Sequence, residues 1–442
     1  MRALMVVAVV LAPHSARADA PEAELIFYNG RVETLDANFT RARAIAVAGG
    51  HILAVGDLGA IMPLGGPATR KVNLHGLALL PGFVDPHQHR FNHLEDLGGL
   101  DASQQLMLSN GITTAGELLV NRVLLDLMLA YHAEGRLKVR TSLYLNRTSN
   151  CGELRPPTYR DVAPIFDPEA VLRIPGVKIL SDGGSCLRPA TTFEVPLPDG
   201  PTTGDLFFEA DELYELASDA ASYGYQVAIH AVGDRARDVA FEALERLLDG
   251  GPNTMRHRIE HTVWVRPDQI QRHVDSGILT TGFIDRTCLT NAGMTPFINH
   301  MPEFTRPWYR PWHDMLAVGV LLSWKSDAPD LTSDPMQQLY NIVTRKEVDV
   351  DGSICEPPSW MTDTGPVTTA QALRMMTSAG AYALHMETAV GSLEPGKLAD
   401  FVVLSEDPLE VEPDDLKDLT VLSTVIGGVS LYCAPGSEAL CH

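Results

Sequence analysis

The sequence predicts an α/β protein: a (β/α)8 TIM-type barrel combined with a small β-sandwich that is built from both ends of the chain. Through the middle of the chain, short β-rich runs alternate with longer helical stretches, which is typical of a parallel sheet. Apolar runs separated by tight turns occur near both termini. The 442 residues are 45% hydrophobic and 20% charged, so the chain can bury one large core.

The predicted β-sandwich rests on hairpin signals at the two ends of the chain. Leu25–Tyr28 is followed by the turn Asn29-Gly30, and Val421–Ile426 is followed by Gly427-Gly428. Apolar runs joined by such dipeptides predict hairpins. The predicted division is a signal peptide, a two-part β-sandwich domain and a barrel domain: residues 1–18, residues 19–80 with 390–442, and residues 81–389.

The barrel prediction rests on apolar runs of strand length with helical stretches between them. The eight predicted strands are Ala78–Val84, Thr113–Leu118, Val139–Leu145, Val177–Leu180, Gln226–His230, His257–Thr262, Ile278–Phe283 and Val318–Ser323. The clearest helical stretches are Asp211–Ser222, Ala236–Asp249 and Pro267–Ser276. No glycine-rich phosphate-binding loop follows an early strand, which argues against an open nucleotide-binding sheet.

The N-terminus has the pattern of an export signal. Arg2 precedes the unbroken apolar run Ala3–Ala12, and Ser15–Ala18 then offers the small-x-small pattern of a signal-peptidase site. This run is too short to span a bilayer. The prediction is a periplasmic or secreted protein with cleavage near Ala18, and the alternative is a buried first strand or a wrongly assigned start.

The charge balance limits the classes of partner. The formal net charge is −22, and without a basic excess the chain cannot neutralise the phosphates of nucleic acid or of an anionic membrane. We therefore expect a small-molecule substrate, no nucleic acid and no membrane partner. The edges of the predicted sandwich leave a homo-oligomer open.

The six cysteines predict disulfides rather than a cysteine metal site. None has CxxC or zinc-finger spacing, and an exported protein permits disulfides. Cys433 and Cys441 flank a Pro-Gly turn and form the best local pair, with Cys151 and Cys186 as the second choice. The sequence alone leaves the connectivity open.

The strongest signal for chemistry is the segment Pro81–His89, in which an apolar strand ends in His-x-His. Side chains alternate between the faces of a strand, so His87 and His89 point the same way. Neutral imidazoles suit a borderline divalent metal such as zinc, and the C-terminal ends of barrel strands are where active sites lie. The segment therefore predicts a metal site at the barrel mouth.

Further polar residues stand at later strand ends. His230 and His261 end the fifth and sixth predicted strands, and Asp327 follows the eighth. Lys178 lies inside an apolar strand, where an ionised lysine is costly and needs a partner or a modification. We expect these side chains to converge around a common cation.

The residues around these positions receive secondary predictions. By alternation from His261, His257 lies deeper on the same face, while Arg258 and Glu260 face the helices as a packing ion pair. Candidate substrate contacts near the ends of the first three strands are His93, Glu117 and Arg147.

The pattern as a whole resembles the amidohydrolase superfamily, and within it the group of YtcJ-like hydrolases. The most specific strings are Pro-Gly-Phe-Val-Asp-Pro-His-Gln-His at Pro81–His89 and Gly-Ser-Leu-Glu-Pro-Gly-Lys-Leu-Ala-Asp at Gly391–Asp400. The other matching segments are Gly111–Glu117, Val177–Gly184, Gln226–Arg235, Arg256–His261 and Ser326–Pro329. The resemblance runs from near residue 25 to the C-terminus.

The resemblance implies one or two divalent ions, with Zn²⁺ expected, held by six side chains: His87, His89, Lys178, His230, His261 and Asp327. The His-x-His pair and the aspartate would hold the more buried ion, and the other two histidines a second one. Lys178, carbamylated by CO2, would bridge both ions. The alternative for Lys178 is an unmodified lysine in a one-metal site, paired with Asp182.

The resemblance also implies hydrolysis of a C–N bond in a small molecule, such as an N-acyl amino acid, a formamide or a dipeptide. A divalent cation brings the pKa of a bound water toward ~7, and Asp327 would serve as general acid and base. The alternatives are a lactone, an ester or a deaminated ring as substrate. A non-catalytic binding module is disfavoured, because an aspartate is present at the eighth strand.

The chain departs from the close family pattern in three places. It is shorter between His89 and Lys178, and Thr281–Asp285 replaces the usual Gln-Pro-x-His type of segment. Before Asp327, Trp324-Lys325 stands where a small, glycine-rich step is usual. The predicted metal ligands are unaffected.

Overall fold

The computed structural model describes residues 22–183, 186, 188–283, 288, 298–329, 334–349, 351–362 and 365–441. The predicted signal peptide, residues 1–18, lies outside the described residues. Two eight-stranded sheets organise the described chain, one of them a parallel barrel and the other a mixed sheet. In the described part, no helix combines the length and the apolar character that crossing a membrane requires.

The barrel sheet consists of eight strands that are parallel to their neighbours. Its strands in spatial order are β6 Phe83–Gln88, β7 Ile112–Val120, β8 Arg140–Asn146, β9 Leu172–Leu180, β12 Gln226–His230, β13 Arg258–Glu260, β14 Leu279–Gly282 and β15 Leu322–Trp324. The ends of β6 and β15 meet through the main chain, since Asp327 N–H donates to His87 C=O at 3.1 Å and His89 N–H to Ala328 C=O at 2.7 Å. The predicted barrel is confirmed.

Strands from both ends of the chain join in the mixed sheet, which we call the end sheet. Its members are β1 Ala23–Glu33, β2 Arg41–Ala48, β3 His51–Gly56, β4 Gly65–Asn73, β5 Ala78–Pro81, β18 Phe401–Leu404, β19 Val421–Ile426 and β20 Val429–Cys433. Strand β1 pairs parallel with β4 and β5, and the other pairs are antiparallel. Two small hairpins complete the strands: β10 Val195–Leu197 with β11 Gly200–Thr202, and β16 Glu347–Val348 with β17 Ile354–Cys355.

The helices follow ordinary start and stop signals. Their bounds are α1 Leu58–Ile61, α2 Leu94–Leu97, α3 Leu100–Ser109, α4 Arg122–Ala133, α5 Ala210–Ser222, α6 Asp234–Leu248, α7 Pro267–Ser276, α8 Trp312–Ala317, α9 Pro335–Thr344, α10 Ser359–Thr362, α11 Thr369–Met375 and α12 Ser378–Ala383. Asn121 caps α4 by accepting from Leu124 N–H, and α7 begins at a proline and ends before Gly277 in the left-handed conformation. The three helical predictions between strands are confirmed for α5, α6 and α7 within two residues.

The first and last predicted barrel strands differ from the structure. Ala78–Pro81 belongs to the end sheet, and the barrel strand begins only at Phe83. The break falls at Gly82, where a β-carbon would lie 2.2 Å from Thr113 Oγ1, so only glycine passes there. The eighth strand was predicted from Val318, but Val318 caps α8 and the strand begins at Leu322.

The apolar core stops short of the C-terminal end of the barrel, where polar groups gather. One large cluster fills the space between the barrel strands and the surrounding helices. A smaller cluster, which includes Val84, Tyr144, Ala228 and Leu384, packs inside the barrel below the His-x-His level. The polar site therefore stands on an apolar floor.

Candidate active site

Three side chains meet at the C-terminal end of the barrel where β6 and β15 join. His87 Nε2 lies 3.2 Å from His89 Nε2, and Asp327 Oδ1 lies 3.3 Å from His87 Nε2 and 3.5 Å from His89 Nε2. The two histidines come from alternate positions at the end of β6, as predicted. Asp327 follows β15 with φ 56°, and this left-handed turn directs its carboxylate to the imidazoles.

His261 and His230 stand beside this group. His261 Nδ1 lies 3.5 Å from Asp327 Oδ2, and its ring centroid is 5.0 Å from that of His87. The His230 ring lies 4.2 Å from the His261 ring, centroid to centroid. The structure thus brings all four predicted histidines and the aspartate together at one mouth.

The alternation predicted for strand β13 is wrong. Arg258 and Glu260 point into the barrel rather than toward the helices, and Arg258 lies over the Tyr144 ring at 4.6 Å. The reason is the backbone of His261, whose φ of 66° reverses the phase of the side chains at the strand end. His261 reaches the mouth because the strand stops at Glu260, and not because it shares a face with His257.

Glu260 orients His87 from below. His87 Nδ1 donates to Glu260 Oε2 at 2.6 Å, and Arg258 Nε lies 2.6 Å from the other carboxylate oxygen. Burial raises the pKa of Glu260, but Arg258 and Lys178 outweigh it and bring the pKa below its usual value, so the group is ionised. With Nδ1 donating, the lone pair on Nε2 of His87 faces Asp327.

The same arrangement holds for His89, and burial keeps the neighbouring imidazoles neutral. His89 Nδ1 donates to Leu118 C=O at 2.8 Å. Burial, reinforced by Lys178, lowers the pKa of His230 to about 3 and that of His87 well below its ordinary value. Burial and Lys325 lower the pKa of His261 well below its ordinary value. Neutral imidazoles with free lone pairs are what a metal ion requires.

Two lysines lie buried in the site. Lys178, on β9, lines the cavity, and its Nζ has no hydrogen-bond partner among the described residues. Burial lowers its pKa to about 7. The alternative pairing with Asp182 is not formed: that carboxylate accepts from the backbone N–H groups of Val232, Gly233 and Ala190.

Lys325 is the other buried lysine, and the sequence analysis noted it only as a departure from the family pattern. Its Nζ lies 3.0 Å from Asp327 Oδ1 and 2.9 Å from His261 Nδ1. Burial raises the pKa of Asp327, but Lys325 and His87 outweigh it and hold the pKa well below its usual range. The available signal was strand alternation, which places position 325 on the same face as 323.

A cavity of about 780 Å³ opens above these groups. Its wall includes His93 and polar residues from the loops after β7 and β8. Glu117 does not line it: the buried carboxylate accepts from Gln88 Nε2 and from Phe91 N–H, and so anchors the loop after β6. Arg147 does not line it either, because its side chain turns away to the Arg155 carbonyl. Both side chains are thus engaged by neighbouring protein groups, and substrate contact at Glu117 and Arg147 stays a prediction.

All six cysteines pair in the structure. Cys433–Cys441 and Cys151–Cys186 are bonded as predicted, and the third pair is Cys288–Cys355. Cys151 lies in the cavity wall. The Cys151–Cys186 bond therefore joins the loop after β8 to the loop after β9 at the mouth.

Comparisons with known proteins match much of the chain. A model of the amidohydrolase family matches residues 95–432. The chain is 30% identical over 283 residues to the N-substituted formamide deformylase of Arthrobacter pascens, covering 62% of this chain and 48% of that protein. It is 28% identical over 272 residues to YtcJ of Bacillus subtilis, covering 58% and 46%. The matched part therefore spans about half the length of these relatives.

The fold also matches solved structures. A metal-dependent hydrolase from Pyrococcus horikoshii, described as uncharacterized, superposes with a TM-score of 0.73 at 20% identity, and the match covers 88% of this chain and 99% of that chain.

Proposed function

Because the chain belongs to the amidohydrolase family, we propose that its barrel mouth hydrolyses a C–N bond of a small molecule with a divalent metal ion. The resemblance inferred from the sequence motifs is confirmed at the family level. The single observation that carries the proposal is the donor set of His87, His89 and Asp327 at the C-terminal end of the barrel.

These three donors fit a tetrahedral ion. Their separations are 3.2, 3.3 and 3.5 Å. Ligands at about 2.0–2.1 Å from a tetrahedral zinc ion are themselves about 3.3–3.4 Å apart. The two imidazoles are oriented by Glu260 and by the Leu118 carbonyl, which is the outer support that metal-binding histidines usually have. Zn²⁺ is the ion that best suits this nitrogen and carboxylate set.

Lys178 is proposed to be carbamylated and to serve as a further ligand. A neutral amine reacts with CO2, and a pKa of about 7 leaves a large neutral fraction at neutral pH. The orphaned Nζ, fully buried beside the histidines, supports this proposal. His230 and His261 lie beside this donor set and are the side chains that a second ion would require.

The chemistry divides between the ion and the protein. The ion, when bound, would acidify the attacking water and polarise the scissile carbonyl. Asp327 is placed to take the proton of that water and to pass it to the leaving nitrogen. The lowered pKa keeps its carboxylate ionised, and therefore free of a proton, at neutral pH. The cavity of about 780 Å³ holds the substrate next to these groups.

An amide-type substrate is the proposed class. The supporting observation is the likeness to a relative whose name states that it deformylates N-substituted formamides. Lactones, esters and aminopurines are the competing substrates of the same chemistry, and a panel of all four classes on one zinc-loaded preparation decides between them.

The test combines metal analysis with two variants and a matched control. We expect zinc in purified protein by ICP-MS, loss of zinc and turnover in His87→Ala, and a fall of about 10²–10⁴-fold in kcat for Asp327→Asn. His132→Ala removes an exposed histidine from α4 and should change nothing. Active protein without divalent metal, or full activity of His87→Ala, would refute the proposal.

A further inference from the structure

The proposed function leaves the buried lysine Lys325 without a role. Lys325 follows β15, is fully buried, and extends into the site between Asp327 and His261. Its Nζ stands 5.0 Å from the Phe283 ring centroid, so an aromatic wall closes its other side. The amino group thus occupies the part of the mouth that a second ion would need.

The contact with His261 uses the nitrogen that would bind that second ion. His261 Nδ1 is the ring nitrogen nearest to Asp327, and it lies 2.9 Å from Lys325 Nζ. An ion bound to Nδ1 would have to lie about 2.0–2.1 Å from that nitrogen, on the side where the Lys325 amino group already stands at 2.9 Å. The hydrogen bond therefore excludes an ion from Nδ1.

The other nitrogen of His261 is not a substitute. It is buried and has no hydrogen-bond partner among the described residues. When Nδ1 of a neutral imidazole accepts, the ring proton resides on Nε2, and that nitrogen is then a donor. His261 cannot offer a lone pair to an ion while Lys325 holds it.

The first donor set is unaffected by Lys325. His87 and His89 donate their Nδ1 protons to Glu260 and Leu118 and keep Nε2 free. The Asp327 carboxylate oxygen has two lone pairs, so Oδ1 can accept from Lys325 and still bind an ion. The ligand set of His87, His89 and Asp327 is therefore complete, whereas the second set lacks the lone pair of His261.

We propose that this site holds a single divalent ion, at His87, His89 and Asp327, and that the amino group of Lys325 takes the place of the second ion. The inference rests on the proposed function, because it presupposes a metal ion at the mouth. It assigns to Lys325 a positioning role: it holds Asp327 and His261 in the arrangement that a second ion would otherwise impose.

The test is the metal stoichiometry of the full chain. Purified protein is loaded with excess Zn²⁺, passed through gel filtration and analysed by ICP-MS. We expect one zinc per chain in the wild type and two in Lys325→Ala. The matched control is Lys397→Ala, which removes a lysine that contacts Glu394 at 3.0 Å in another part of the molecule, and it should keep one zinc.

Loading with Co²⁺ provides a second readout that does not depend on turnover. We expect the EPR spectrum of an isolated ion in the wild type and of a coupled pair in Lys325→Ala. His261→Ala covers the case in which the lysine variant fails to fold, and it should retain one zinc because His261 is not a ligand. Two zinc ions in the wild type, one in folded Lys325→Ala, or none in His261→Ala would each overturn the inference. A wild type without zinc would instead overturn the proposed function.

Discussion

At the scale of single residues, the site depends on two side chains whose backbone leaves the strand conformation. His261 and Asp327 both have positive φ, at 66° and 56°, which is uncommon for residues other than glycine and is concentrated at functional sites. Each lies just beyond the end of a barrel strand. At His261 the turn redirects a side chain that strand alternation would place elsewhere, while Glu260, the last residue of β13, keeps its inward position below His87.

The first prediction concerns that inward carboxylate. Replacing Glu260 by glutamine removes the anionic acceptor of His87 Nδ1 and should raise the Kd for zinc by about 10–100-fold, the usual effect of losing such a support. Competition with a chelator measures the Kd, with circular dichroism as the check on folding. Glu387→Gln removes a carboxylate from a half-buried arginine pair, with Arg256, and should leave the Kd unchanged. An unaltered Kd in Glu260→Gln would show that Glu260 does not support the metal site.

At the scale of elements, the loops after the barrel strands shape the mouth and the disulfides restrain them. Cys151–Cys186 joins two of these loops next to the cavity, whereas Cys433–Cys441 closes a short loop at the end of the chain. The end sheet has its own buried electrostatic feature, in which β1 and the segment after β18 bring two carboxylates together. The mouth disulfide should therefore affect substrate binding, and the carboxylate pair should affect the stability of the end sheet.

The second prediction is that the mouth disulfide supports substrate binding. In Cys151→Ser/Cys186→Ser we expect unchanged zinc content and a several-fold higher KM on the best substrate of the panel, because the freed loops sample more conformations. We also expect about 2–4 kcal/mol less stability, because the unfolded chain gains conformational freedom when the bond is removed. Steady-state kinetics and urea denaturation measure these effects. The matched pair Cys433→Ser/Cys441→Ser should not alter KM. Equal KM values in both double variants would mean that the mouth loops hold their shape without the bond.

The third prediction concerns the pH dependence of stability in the end sheet. Glu33 is buried beside Asp407 and contacts Arg41 at 2.9 Å. Burial, and then Asp407, raises the pKa of Glu33 from 4.5 to about 7 against the opposing effect of Arg41. Between these two values the folded protein keeps a proton that the unfolded chain has released. The protonated carboxyl group therefore stabilises the folded state. Its contribution is fully present below pH 4.5 and is lost as the pH rises through 7.

In the wild type, the titration of Glu33 should lower the free energy of unfolding by about 1 kcal/mol between pH 5 and pH 8. Glu33→Gln should lack this pH-dependent loss of stability. Denaturation curves at both pH values, compared with the wild type, give this difference. Glu24→Gln changes an exposed carboxylate on the same strand and should follow the wild type. A steeper pH dependence in Glu33→Gln than in the wild type would reverse the proposed sign.

At the scale of the whole molecule, the chain combines a strongly acidic surface with a full set of disulfides. The three bonded cysteine pairs suit an exported protein, since disulfides persist in oxidising compartments. We propose export with removal of residues 1–18, and the bonded cysteines are the supporting observation.

The fourth prediction is that the mature chain begins near residue 19. In a bacterial host, N-terminal sequencing of protein from the periplasm or the medium should show cleavage after Ala18. Ala18→Phe should block the small-x-small site and retain the full leader. Accumulation of the uncleaved wild-type chain in the cytoplasm would refute the proposal.

Much of the architecture followed from local patterns, while several contacts did not. The barrel, the helices α5 to α7, the His-x-His at the end of β6 and the Cys433–Cys441 disulfide were predictable, because each depends on short-range periodicity or spacing. The Cys151–Cys186 bond joins residues 35 positions apart and was only the second choice among pairings that the sequence left open. The predicted orientation of Arg258 and Glu260 was wrong, because alternation counted back from His261 holds only while the strand continues, although their ion pair forms as predicted. The first strand was divided incorrectly, because the break at Gly82 depends on Thr113, which lies on the neighbouring strand.

The amino-acid order by itself determined that histidines, a lysine and an aspartate stand at the ends of successive parallel strands. Strand periodicity and the common direction of the strands in a barrel are sufficient for that conclusion. Only the tertiary structure decided which of these groups contact one another. The approach of Lys325 to His261, and of Glu260 to His87, joins residues from different strands through left-handed turns that no local pattern encodes.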